Sequence, residues 1–142
     1  MTVRVSRTFE FDAPAADVWA FISDAEKRAG AISVVDTFEV HGDGTATWHV
    51  ALPIPVIRST ITVETREVDR DPPNRVKFVG KSRAFRVTGE HTITETGGGC
   101  RLANEFVVEG SLPGVESFFK RNFDDELDNL EAALRRSLPP GA

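Results

Sequence analysis

Seven apolar residues near the C-terminus, Val115, Phe118, Phe119, Phe123, Leu127, Leu130 and Leu134, recur at steps of three or four. That spacing places them on one stripe of a long helix, which Pro139 and Pro140 end. The opposite face carries Lys120, Arg121, Asp124, Asp125, Asp128, Glu131 and Arg135 and reads as a solvated surface. An aromatic-rich stripe of this length must be buried against something. Most of the preceding chain alternates apolar and polar residues, as strands with one greasy face do. An antiparallel sheet covered by one long helix satisfies both elements at once.

The chain order agrees. Val3 to Phe11 alternates, with Val3, Val5, Phe9 and Phe11 on one face and Arg7 as its polar interruption. Pro14 suits the first turn of a helix, where a missing N–H costs nothing. Val18, Phe21, Ile22 and Ala25 follow at helical spacing, and a short second helix is predicted to about Gly30. A hairpin then turns near Asp43 and Gly44. Phe38 and Val40 must share a face with Trp48, Val50 and Leu52, so the loop holds an odd number of residues, and a three-residue loop with a glycine bulge is expected. The next strand turns Ile57, Ile61 and Val63 inward until Pro72 and Pro73 break it. "RVKFVGKS" carries Phe78 on the strand after that.

"FRVTGEHTITETGGGCRLANEFVVEG" closes the sheet. One inward row is Phe85, Val87, Gly89, His91 and Ile93; the other is Leu102, Asn104, Phe106 and Val108. Each row is interrupted by one polar side chain. A two-residue turn at Gly97-Gly98 pairs His91 with Asn104; a four-residue loop pairs it with Phe106. Three roles stand open for His91 and Asn104: a satisfied interior pair, an anchor for a ligand, or an acid/base site. Arg7 is expected to pair with an acid of the terminal helix. Asp36 lies ambiguously at a strand start, and His41 and His49 are expected to face solvent.

Composition bounds the function. The 142 residues fit one domain, read as residues 1–138 with 139–142 as a tail. The net charge of −5 and the scattered basic residues speak against a nucleic-acid partner. No apolar run approaches the ~20 residues of a membrane span. The N-terminal stretch alternates without a signal-peptide core, so a cytoplasmic protein is expected. The single Cys100 offers no disulfide, and no metal-ligand spacing, phosphate loop or serine–histidine–acid arrangement is visible. Neither a metal nor a cofactor is expected.

Three motifs resemble the helix-grip superfamily, also called START-like, SRPBCC or polyketide cyclase/dehydrase-like. They are "FDAPAADVWAFISD", "VETREVDRDPPNRVKFVG", and "TITETGGGCRLANEFVVEG" followed by the terminal helix. The apolar "LPIPVIRSTITVETREV" is similar to the carbon monoxide dehydrogenase G group, although that group's Pro-Gly-Cys after the second helix is replaced here by "AGAISVVDTF". The resemblance implies an α+β fold: a seven-stranded curved antiparallel sheet in the order 1-7-6-5-4-3-2, wrapped around the terminal helix, with two short helices after the first strand. It also implies a cavity between sheet and helix. Its expected lining is Phe38, Trp48, Val50, Ile61, Phe78, Phe85, Val87, His91, Asn104, Phe106, Phe119 and Phe123. The mouth is expected beside the start of the long helix, where "LPIPVI", "KSRA" and "GSLPG" meet the segment before Ser33.

A large apolar cavity with few polar groups suits binding better than bond-making. The expected function is a carrier for a quinone, isoprenoid, lipid or polyketide-like molecule. The alternatives are a cyclase or dehydratase using His91 and Asn104, or an assembly factor for a larger oxidoreductase complex. "LPIPVI" leaves two readings open. Leu52, Ile54, Val56 and Leu112 form a weak docking surface for a membrane or protein, or they fold back and plug the mouth.

Overall fold

The turn at Gly97-Gly98 sets the register of the hairpin on which the fold is built. In a computed structural model, which describes residues 2–55, 57 and 59–139, β6 (Phe85–Thr96) pairs antiparallel with β7 (Gly99–Gly110) and Thr96 faces Gly99. Counting inward, Ile93 faces Leu102 and His91 faces Asn104. β1 (Thr2–Phe11) adds to the far side of β7, with Phe11 opposite Cys100. β5 (Arg75–Lys81) adds to β6, followed by β4 (Ile61–Asp71), β3 (Thr45–Val50) and β2 (Val35–Val40). The seven-stranded order is β1-β7-β6-β5-β4-β3-β2.

Two local devices shape this sheet. The β2–β3 hairpin places Phe38 opposite Trp48, and His41 N–H bonds Thr45 O across a loop of Gly42, Asp43 and Gly44. Gly44 takes a φ of +86°, a left-handed conformation that a side chain would strain. The second device is Gly89, on the inward row of β6. A Cβ there would come within 2.3 Å of the Phe78 ring, so only glycine lets that ring lie flat across the strand.

The helices cover the concave face. Pro14 caps α1 (Ala15–Ile22), and Asp24 caps α2 (Ala25–Gly30) by accepting from the N–H groups of Glu26 and Lys27. α3 (Val115–Ser137) buries all seven residues of its predicted stripe. A buried Phe or Leu contributes about 1.5–3 kcal/mol through removal from water, so this stripe is a main source of cohesion between the layers. The pairing of Arg7 with the terminal helix is seen: its guanidinium reaches Asp128 at 2.5 Å and Asp124 at 3.1 Å, tying β1 to α3. No described helix is long and apolar enough to cross a membrane.

The connection after β3 departs from the docking expectation. Leu52, Ile54 and Ile57 are buried in the core, and Leu112 is half-buried against it. Ile54, only 8% exposed, packs on Gly114 at the start of α3. Local turns and the packing of Ile54 on Gly114 act together. N–H of Ile54 bonds Leu52 O and N–H of Ile57 bonds Ile54 O, so the segment coils back and turns these side chains inward. Its described residues therefore form no exposed apolar surface; Val56 lies outside the described residues, as do residues 140–142 of the expected tail.

Candidate functional site

A cavity of about 60 Å³ lies between the sheet and α3. The strands contribute Trp48, Val50, Phe78, Phe85, Val87, His91 and Phe106; α3 contributes Phe119 and Phe123. Three other expected lining residues stand apart. Phe38 is half-buried across from Trp48, Ile61 is buried beside Val50, and Asn104 stands behind His91. Phe38 lies at the rim, further along edge strand β2 than Val35, the residue of that strand that lines the cavity.

Sequence reasoning missed several members: Arg28, Ile32, Val34, Val35, Glu126, Leu127 and Leu130. Leu127 and Leu130 were legible as part of the helical stripe. Glu126 was legible by spacing alone, three residues after Phe123 and four before Leu130, which puts a carboxylate inside the apolar stripe. Arg28 was concealed in "AEKRAG", which reads as a solvated short helix, yet it is only 6% exposed. Its guanidinium donates to Ile22 O at 2.7 Å and to Glu67 Oε2 at 3.0 Å, and it stacks 5.5 Å above the Phe78 ring. The signal for its partner was present. Glu67 continues the inward parity of Ile61, Val63 and Thr65, ahead of a bulge in β4. Burial lowers the Arg28 pKa, and the bond to Glu67 opposes that shift.

The mouth differs from the expected one. Among the cavity-lining residues, the half-exposed ones are Ile32, Val34, Val35 and Glu126, so the cavity comes nearest solvent between the α2–β2 connection and the middle of α3. Glu126 closes that side by accepting from Ser33 N–H at 3.0 Å and from Ser33 Oγ at 2.5 Å. Phe119 lines the cavity, while Phe118 packs edge-on behind it at 5.3 Å.

The polar centre of the site is His91 with Asn104, each 2% exposed. Nδ1 of His91 lies 2.7 Å from Oδ1 of Asn104. Asn104 Nδ2 donates in turn to the backbone carbonyl of Arg7 at 3.1 Å. Phe106 stands edge-on to the imidazole at 5.5 Å and Phe78 stacks on it at 6.4 Å. Burial lowers the His91 pKa to about 4; the Asn104 bond opposes this shift and the charge of Arg28 adds to it. The imidazole is thus neutral near pH 7. Asp36 and His41 are exposed, and His49 lies near Glu39 at 3.4 Å outside the cavity. Among the described residues, no group of three His, Cys, Asp or Glu side chains is placed to hold a metal ion.

A neutral imidazole in an apolar cavity can hold a ligand by one hydrogen bond or move one proton, and the fold alone does not choose between these. Solved structures of the same fold are numerous. A conserved protein from Geobacillus kaustophilus superposes with a TM-score of 0.76 at 13% identity, over 94% of this chain and 93% of that one. The Zhui aromatase/cyclase from Streptomyces sp. R1128 gives 0.70 at 19% identity, over 100% and 99% of the two chains. A START superfamily protein from Mycobacterium smegmatis gives 0.70 at 18% identity, over 94% of each chain. No curated protein is similar enough in sequence to count as a match. The nearer likeness to the carbon monoxide dehydrogenase G group rests on sequence motifs alone. The family model described as "Polyketide cyclase / dehydrase and lipid transport" matches residues 2–135, and the chain belongs to that family.

Proposed function

We propose that this protein binds and carries a lipophilic small molecule between its sheet and α3. The observation that carries this reading is the cavity itself, whose interior is walled by aromatic and aliphatic side chains around a single uncharged imidazole. Quinones, isoprenoids, lipids and polyketide-like molecules share the required chemistry: much apolar surface and few polar atoms. The family description, which joins cyclase and dehydrase chemistry with lipid transport, supports an occupant of this kind. The single cysteine, Cys100, is free and buried, which suits a reducing, cytoplasmic setting.

Native mass spectrometry of gently purified protein tests the proposal. A carrier retains a hydrophobic adduct that organic extraction releases. Trp48 lines the cavity, so its fluorescence should also change when a lipophilic probe is titrated in. Protein that carries no adduct and leaves Trp48 unperturbed by quinone, fatty acid and aromatic probes would refute it.

A second reading, a cyclase or dehydratase, is favoured by one observation: His91 presents a neutral ring to the cavity and can accept a proton there. Turnover of a polyketide-like substrate that survives in His91→Gln would exclude it.

A further inference from the structure

The hydrogen-bond chain behind His91 determines which kind of hydrophobe fits. The carbonyl oxygens of Arg7 and Leu102 can only accept, so the Asn104 amide must turn its Nδ2 toward them, at 3.1 and 3.5 Å. Its Oδ1 therefore faces His91, and a carboxamide oxygen can only accept. Nδ1 of His91 must then carry the proton of the neutral ring. Nε2 is left with a bare lone pair.

That lone pair is open to the cavity. Among the described residues no fully enclosed side-chain nitrogen or oxygen lacks a partner. Nε2 makes no hydrogen bond to the described residues, and its ring lines the cavity, so the cavity is what reaches it. The charged groups of the lining are engaged elsewhere. Arg28 is held by Ile22 O and Glu67, and Glu126 by Ser33 and Asn129 at the rim. The indole N–H of Trp48 and the spare N–H groups of Arg28 can only donate, so among the described residues Nε2 is the neutral acceptor of the cavity wall that has no partner.

We infer that the cavity selects a neutral hydrophobe bearing a hydrogen-bond donor, a hydroxyl or enol, which donates to Nε2 of His91. This rests on the binding proposed above and deepens it. A ketone, an ether or a carboxylate would set its own lone pairs against that of Nε2 and leave Nε2 unpaired in a dry site, whichever donor of the wall it turned to. Burial and the nearby Arg28 charge keep the ring from taking up a proton to receive them.

The matched pair 2-naphthol and 2-methoxynaphthalene tests the inference by calorimetric or NMR titration. The naphthol should bind about threefold to tenfold more tightly, the net worth of one hydrogen bond. In His91→Phe that preference should vanish or reverse, because the ether is the more apolar compound. Nitrogen-15 NMR of the free wild-type protein gives a readout that needs no variant and no ligand. It should show His91 protonated at Nδ1 and bare at Nε2, and the Nε2 signal should shift when the naphthol binds. A free protein protonated at Nε2 would overturn the inference, as would equal affinities for the two compounds. If neither compound binds at all, this inference falls, and the carrier reading is decided separately by the retained adduct and the quinone and fatty-acid titrations. If both bind equally, only the donor requirement falls.

Discussion

His91 is held neutral by a contest between burial and the Asn104 amide, and burial wins. Its pKa falls from about 6.5 in the unfolded chain to about 4 in the fold, so between those values the unfolded state binds more protons. Stability is therefore full above about pH 6.5, falls as the pH drops toward 4, and levels off below it. The shift corresponds to roughly 3 kcal/mol. Carboxylates titrate in part of the same window, so the measurement is a difference: urea unfolding of wild type and His91→Gln from pH 7 to pH 4. The variant should lose the limb between 6.5 and 4.5; parallel curves would show that His91 titrates normally. At this scale the inward facing of His91 and Asn104 was legible from strand parity, while their direct pairing was one of two registers that parity allows, and the two-residue turn at Gly97-Gly98 decides it. The protonation of His91 was not legible. Burial sets the charge of the ring, and the Arg7 carbonyl, a long-range neighbour of Asn104, sets its tautomer.

Elements with a regular apolar period were legible almost residue by residue, as the α3 stripe and the β2–β3 loop show. The connection from Leu52 to Ile57 had no such period. Prolines explained why it is not a central strand, but the direction of its side chains was decided by Gly114 and α3, which lie far along the chain. Ile54→Asp checks this. A carboxylate at a buried site without a partner should cost more than about 2 kcal/mol in urea unfolding. Binding to neutral lipid vesicles should be unaltered in whatever fraction remains folded. A variant as stable as wild type would mean that Ile54 faces water. The same long-range logic hid Arg28, whose short polar helix is folded under by β4 so that Glu67 and Phe78 enclose it.

For the whole molecule, the volumes conflict. Pockets for drug-sized ligands run to about 300–1,000 Å³, and the cavity here is about 60 Å³. A carrier must therefore widen when it loads. The side nearest solvent is held by Ser33 on Glu126, between the α2–β2 connection and α3. Removing that tie with Glu126→Ala should speed association and dissociation of a fluorescent lipophilic probe by about threefold to tenfold, the net worth of one solvent-exposed hydrogen bond. Affinity should change much less. Stopped-flow rates equal to wild type would place the opening elsewhere. The amino-acid order by itself determined the layers and the rows facing inward, because these follow from local periodicity, and it narrowed the β6–β7 register to two choices. Only the tertiary structure decided that Phe38 lies at the rim, that Arg28 borders the cavity, and that Nε2 of His91 is its free acceptor. Those facts depend on the curvature of the sheet and on contacts between residues far apart in the chain, which no local pattern encodes.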